Sequence, residues 1–315
     1  MIPMMSIDRV FEKHTRLMGN HFSFSVVDET EEDAFQIIEL AIAEVKRIEN
    51  LLSTFNDTSD TNRINEKAGI EPVKVSTETF QLIERSLRIS ALTQGAFDIT
   101  YGSLDKRLWN FDVNMTTLPD PSVAKEMVRL INYKNVILDK ISLTVFLREK
   151  GMRIGFGGIG KGYAADCAKR IMALAGVSSG IVNASGDLTV WGEQPGGKPW
   201  TIGIADPDQK QIPFANLQLT NISVATSGSY EKYVLIDGKR YSHTIDPKTG
   251  LPVQGIKSVT TICKNAELAD AMATPVMVMG LKAGMSLINQ IHGIECIVVD
   301  DRDNIYTSRN IHLKT

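Results

Sequence analysis

The segment RIGFGGIGKGYAAD, residues 153–166, constrains the fold of this chain more than any other stretch. Glycines at 155, 157, 158 and 160 run directly into KGYAADCAKRIMALAG (161–176), which has helical apolar spacing and Gly176 past its end. A tight turn delivering the chain into a helix is the fold such a stretch demands. A turn that needs glycine only for packing is the plain reading. The other is a ligand site: a bare backbone can approach a ligand closely, and a helix N-terminus offers free N–H groups and a positive dipole end to phosphate. Lys161 adds a mobile cation.

Two phosphate-binding patterns nearly match here. Gly155, Gly157 and Gly160 spell G-x-G-x-x-G. A dinucleotide fold then needs an acidic residue about 20 positions on, but the chain there reads SSGIV, with no acid before Asp187. Gly155 to Lys161 also spells GxxxxGK, yet Gly162 stands where a P-loop carries its magnesium-binding Ser or Thr. A nicotinamide oxidoreductase and a P-loop enzyme are both disfavoured.

Periodicity places the other elements. HFSFSVV (21–27) alternates as a strand, and in residues 31–53 Phe35, Ile38, Ile42, Val45, Ile48 and Leu52 form one helical stripe. A second helix spans 77–95, ending near Gly95, and Asp120-Pro121 opens a third. Strands are expected at 180–184, 200–205, 219–226, 258–264 and 296–300, with EQPGGKP (193–199) as a hairpin loop. Residues 265–280 read as a helix capped by Asn265 and disturbed near Pro275. The order is neither strict strand–helix alternation nor all strand. The expected class is α+β, with mixed or antiparallel sheets packed with helices, in one domain over residues 1–315. A larger core with a smaller subdomain is compatible with that expectation, without a readable boundary.

Composition limits the function classes. The chain has 315 residues, 43% apolar and 23% charged, as soluble globular proteins do. A net charge of −3 without a Lys/Arg run argues against a nucleic-acid partner. Cys167, Cys263 and Cys296 are widely spaced and read as core thiols. The start MIPMMSIDRVFEKH lacks a signal-peptide pattern, and no uninterrupted apolar run suits a membrane span, so no integral membrane segment is expected. The expected compartment is the cytoplasm as the chain stands, or periplasmic and membrane-associated if an export signal was trimmed.

Two further clusters carry chemistry. Asp270 and Thr274 are four residues apart on the 265–280 helix, hence on one face. A carboxylate, a hydroxyl and a backbone carbonyl are hard donors that suit Mg²⁺; a solvated or capping aspartate is the alternative. In YSHTIDPKTG (241–250), His243 is either a proton carrier or part of a polar turn between strands.

Taken in order, these segments resemble the ApbE family of flavin transferases over about residues 15–282. The motifs are Met18-Gly19 with Asn20 where the family has Thr, LSTF (52–55), NRIN (62–65), and GAFDITYGSL (95–104) with Trp109 and Phe111. GGIGKGYAAD (157–166), NASGD (183–187), ATSGSYEKY (225–233), DGKRYSHTIDPKTGLPV (237–253), SVT (258–260) and ADAMAT (269–274) follow. Gly155 replaces a family Asp that contacts the flavin nucleotide, and Ser185 and Ser229 replace a Gly and an Asp.

The resemblance implies a T-fold-like core and a reaction in which FAD is cleaved with Mg²⁺, FMN passes to a Ser or Thr hydroxyl of a partner protein, and AMP leaves. It implies Gly158 (by its carbonyl), Asp270 and Thr274 as metal ligands, and Lys161 on the phosphates. Met18, Phe55, Ala96, Phe97, Asp98 and Ile245 would hold FAD, and His243 would act at the chemical step. Apart from the resemblance, the place of Asp246 three residues on suggests that it orients or polarises that imidazole. The partners implied are subunits of redox complexes or flavin-dependent reductases. An FAD pyrophosphatase would use the same metal site. A non-catalytic FAD-binding protein would need no base.

Overall fold

The computed structural model describes residues 9–105, 107, 114–205, 213–228 and 233–311. Trp109, Phe111 and Ser229 of the sequence motifs lie outside the described residues. In chain order the elements are β1 (Arg9–Leu17), β2 (Asn20–Asp28), α1 (Glu31–Leu52), α2 (Asp60–Glu66), β3 (Val73–Lys74), α3 (Thr77–Leu92) and a 3-10 turn (Ile99–Ser103). Next come α4 (Pro121–Met127), a 3-10 turn (Tyr133–Asn135), β4 (Val136–Asp139), β5 (Thr144–Leu147), α5 (Gly160–Leu174), β6 (Gly180–Ala184), β7 (Asp187–Trp191), β8 (Trp200–Ala205) and β9 (Pro213–Leu219). The last are β10 (Ile222–Gly228), β11 (Tyr233–Ile236), β12 (Lys239–Ser242), β13 (Ile256–Cys263), α6 (Ala266–Ile288), β14 (Ile294–Asp300) and β15 (Ile305–Thr307).

Local chemistry starts most helices where the sequence indicates. Thr30, Ser59, Ser76 and Asp120 each accept a backbone N–H of the first turn of α1, α2, α3 and α4. Each satisfies a donor that would otherwise lack a partner. α5 and α6 differ: neither Ile159 nor Asn265 makes a side-chain cap bond.

The main sheet has eight strands in the order β1-β2-β6-β7-β10-β13-β14-β15. Every neighbouring pair in it is antiparallel. The class is α+β with antiparallel sheets. Alternation along the strands splits the core. Ala225, Val259, Cys263, Cys296 and Val298 face α1, α5 and α6, while Val224, Ile262 and Ile297 face the β8–β9 hairpin with Leu188, Val190 and Trp200. β13, covered on both faces, is buried throughout. The three thiols are buried, and desolvation raises Cys167 and Cys263 to about 11 and Cys296 to about 12, so all stay protonated.

Three expectations shift. The strand expected at 219–226 starts at Ile222, because Leu219 closes β9 and Asn221 turns with φ 56°. The helix expected over 265–280 continues to Ile288, and its break falls at Gly280 (φ 78°, ψ 166°) instead of Pro275, which sits inside the helix. Only glycine takes that backbone readily. α6, with 23 residues, also contains an 18-residue stretch of mean hydropathy 1.4, long and apolar enough to cross a membrane. Reading for unbroken apolar runs overlooked it because Lys282 ends the run that begins after Asp270. The first part of α6, through Met277, is mostly buried and packs as a core helix on β10 and β13.

One end of the sheet gathers the loops that matter. The β1–β2 turn is Met18-Gly19, both with positive φ, and the β6–β7 turn is Ser185-Gly186, likewise. These are the twist-matched two-residue hairpin turns. Ser185 holds φ 58°, a backbone that favours the glycine the family has there. The start of β7 and the end of β10 lie at the same end.

Candidate active site

The N-terminus of α5 is the centre. Its chain is led in by a clamp: Asn65 on α2 accepts from Ile154 N–H at 2.7 Å and donates to Ile154 C=O at 3.1 Å. Ser103 Oγ does the same to Arg153, at 2.8 and 3.0 Å. Gly155 N–H then donates to Ile99 C=O at 3.0 Å. The NRIN motif thus fixes the glycine turn against the 96–104 segment. A Cβ placed on Gly158 would lie 3.5 Å from Phe97 Cε2, one on Gly160 3.7 Å from Met18 Cε, and one on Gly155 3.9 Å from Thr54 Cγ2. Met18, Phe97 and Thr54 therefore surround the turn. Phe55, the residue after Thr54, is 97% exposed.

α5 and α6 cap each other. Asp270 Oδ2 on α6 accepts Gly162 N–H at 3.0 Å at the start of α5. Asp166 on α5 accepts Ala266 and Glu267 N–H, at 3.0 and 2.9 Å, at the start of α6. Each carboxylate meets the positive end of the other helix. The crossing is so close that a Cβ on Gly162 would fall 2.1 Å from Ala266 O. Gly162, where a P-loop has Ser or Thr, is therefore demanded by helix packing.

Asp270 is buried, and desolvation raises its pKa, countered chiefly by the Lys161 ammonium. Thr274, one turn on, has its Oγ1 3.2 Å from Ser227 Oγ at the end of β10. Asp270 and Thr274 thus set a buried carboxylate and a hydroxyl, both hard oxygen donors of the kind a divalent cation takes, one turn apart on α6 beside the start of α5. Lys161 pairs with Asp187, whose other oxygen accepts Thr226 N–H at 3.3 Å.

Ala96 and Asp98 are buried, and Asp98 accepts from Thr100 N–H and Oγ1 and from Tyr133 N–H at 2.6–2.9 Å. Burial raises the Asp98 pKa and these bonds oppose it. Its carboxylate thus braces the loop behind Phe97.

His243 is exposed and follows β12 directly. Its segment is anchored on both sides. Ser242 N–H donates to Val253 C=O and Val253 N–H to Thr244 C=O. Ile245 is buried against Met127, Val128 and Ile131, with its N–H on the Tyr101 hydroxyl at 3.2 Å. Both Asp246 oxygens take donors of its own turn, Lys248 N–H at 2.8 Å and Thr249 Oγ1 at 3.1 Å. Gly250 closes that turn where a Cβ would lie 1.9 Å from Ala124 O. Asp246 therefore serves first by shaping the loop that carries His243. Tyr101 links this loop to the 96–104 segment and so to the glycine turn.

Asp166, Asp187, Asn65 and Ser227 were quoted within motifs without a role. Only Asp166 carried a signal, an acid on an otherwise apolar helix. Among the described residues, Glu44, Glu78 and Cys167 also place ligand atoms within 4.8 Å of one another, but Arg47 bridges both carboxylates. That cluster is an ion-pair network.

The sequence profile of the ApbE family matches residues 18–298, and the chain belongs to that family. It is similar to an FAD:protein FMN transferase of Klebsiella pneumoniae (strain 342), 33% identical over 307 residues, 96% of this chain and 94% of that protein. Another, from Treponema pallidum (strain Nichols), is 31% identical over 84% of this chain and 76% of its own. Of solved structures, the ApbE protein of Thermotoga maritima matches with a TM-score of 0.85 at 33% identity, over 96% of this chain and 97% of that one. The flavin transferase ApbE of Vibrio cholerae matches at 0.82 and 25% identity, over 98% of each.

Proposed function

We infer that this chain is an FAD:protein FMN transferase, with FAD as substrate and a protein as acceptor. The observation that carries the reading is the meeting of the α5 N-terminus, Lys161, the buried Asp270 carboxylate and the Thr274 hydroxyl at one place, in a family whose relatives bear that name. Phosphoryl transfer is mainly positioning and charge stabilisation, and those groups supply both.

In the reaction, a Ser or Thr hydroxyl oxygen of the acceptor bonds to the FMN phosphorus of FAD. The phosphorus–oxygen bond to the adenylate breaks, and AMP leaves. His243 takes the hydroxyl proton. Lys161, at the positive end of α5, holds the diphosphate. Mg²⁺, held by the Gly158 carbonyl, Asp270 and Thr274, would supply further screening of its charge. Met18, Phe55 and Phe97 contact the flavin nucleotide, with Ala96, Asp98 and Ile245 shaping the wall behind them. The acceptor class is a redox-complex subunit or flavin-dependent reductase carrying a Ser/Thr site.

The deciding experiment is intact mass of such an acceptor domain after incubation with the protein, FAD and Mg²⁺. A covalent gain of about 438 Da with AMP release is expected. AMP and free FMN without the gain would identify an FAD pyrophosphatase. Asp270→Asn, which keeps an oxygen for Gly162 N–H, is expected to raise the Mg²⁺ concentration for half-maximal transfer at least about tenfold. A metal-independent rate in the parent would overturn the ligand set. Phe55→Ala is expected to weaken FAD binding by about 1–2 kcal/mol, read by fluorescence titration, with unfolding unchanged because the ring is exposed. Equal affinity would remove Phe55 from the site.

A further inference from the structure

We propose that Asp187 is a positioning residue that holds the Lys161 ammonium away from Asp270 and Thr274, so that their oxygens stay open to a divalent cation. The inference rests on the metal assignment made above.

Asp187 opens β7 and is 2% exposed. A carboxylate this deep needs compensation, and it has two partners: Lys161 Nζ on Oδ2 and Thr226 N–H on Oδ1 at 3.3 Å. The partners belong to a closed circuit. Thr226 precedes Ser227, whose Oγ lies 3.2 Å from Thr274 Oγ1. Thr274 is one helical turn from Asp270, and Asp270 accepts the N–H of Gly162, the residue after Lys161. The Lys161 side chain thus leaves the backbone beside Asp270 and is drawn across to Asp187.

Two carboxylates therefore compete for one ammonium. Asp187 is bound to strand β7, has no role in the proposed ligand set and holds the lysine by direct contact. Without its charge, the buried anion left beside Lys161 is Asp270, where the ammonium would sit in the place of the metal. The same arrangement leaves Lys161 in reach of the α5 N-terminus, where a diphosphate is expected.

The test uses the full-length chain and Mn²⁺ alone as the probe, with free Mn²⁺ read by electron paramagnetic resonance in the absence of FAD. Asp187→Asn keeps the shape and the acceptor for Thr226. It is expected to weaken Mn²⁺ binding at least about tenfold, as an ammonium takes the carboxylate. The Mg²⁺ requirement for transfer is expected to rise in parallel, with kcat recovering at saturating Mg²⁺. Adding Lys161→Met removes the competitor, and Mn²⁺ affinity is expected to return to within about twofold of the parent. A purely structural lesion would not be reversed by a second substitution.

Unchanged Mn²⁺ binding in Asp187→Asn, or a double variant as weak as the single one, overturns the proposal. If Asp187→Asn does not fold, the double variant decides alone. Affinity near the parent's supports the proposal, and a gain of about tenfold or more shows that Lys161 already occupies Asp270 in the parent and overturns it. A parent that neither binds Mn²⁺ nor needs Mg²⁺ overturns the metal assignment and this inference with it. A parent that binds while the single variant titrates identically overturns the inference alone.

Discussion

His243→Ala is expected to lower FMN transfer by about 10²–10⁴-fold, the range lost with a general base. Its side chain is exposed, so unfolding should change by no more than about 0.5 kcal/mol. FAD binding should stay near the parent's, because the groups assigned to the phosphates stand on α5 and not on the β12 segment. The parent rate should rise with pH as the base loses its proton, and the residual rate of the variant should lack that rise. Acceptor mass and AMP release, followed together across pH, check all of this. Unchanged turnover would remove His243 from the chemical step. Weakened FAD binding with normal kcat would make it a substrate contact. The environment supports the first role. The imidazole stands on a segment tied on one side to Val253 and on the other to Tyr101 and the cluster around Ile245, which fixes where it projects.

Gly162→Ala is expected to destabilise the protein by about 3 kcal/mol or more, at the top of the range for overpacking. The added carbon would sit 2.1 Å from Ala266 O and 2.9 Å from Asp270 Cβ. Backbone cannot yield as a flexible side chain can, so α5 and α6 must move apart. That separation would stretch both reciprocal caps, Asp270 on Gly162 and Asp166 on Ala266 and Glu267. The helix preference of alanine over glycine returns only about 1 kcal/mol. Thermal unfolding should fall by roughly 5–10 °C, and Mg²⁺-dependent transfer should weaken too, since Asp270 belongs to both the joint and the proposed ligand set. Gly157→Ala is the stability control: nothing lies within 4 Å of the added carbon, and a change below about 0.5 kcal/mol is expected. Equal melting of both variants would show that the crossing tolerates a Cβ.

Legibility followed the range of the interactions. α1 and α4 were readable because their stripes and caps are written within a few residues: Thr30 serves Asp33, and Asp120 serves Ser122. β6 and β8 fell where their apolar runs lie. The turn at 247–250 followed from its own Pro, Asp and Gly. β1 was missed because it alternates on an exposed edge with few buried residues, and the short strands of the β3–β5–β4 sheet carry little pattern. The ligand-set candidates Asp270 and Thr274 were legible as an i, i+4 pair. Asp246 was legible as a neighbour of His243, but its bonds to Lys248 N–H and Thr249 Oγ1, which shape the loop, were not.

What the sequence by itself determined is the α+β class, the principal helices with their starts, and the residues able to carry phosphate and metal chemistry. All of these follow from periodicity and from contacts three or four positions apart. Only the tertiary structure decided which of those residues serve one another. Asp166 meets the start of α6 across 100 residues, Asp270 meets Gly162 across 108, and Lys161 finds Asp187 across a strand. Such pairs come into being when the antiparallel strand order presses α5 against α6 over one sheet end. No local rule of spacing encodes that geometry, because the carboxylate that satisfies a helix N-terminus here comes from a different helix.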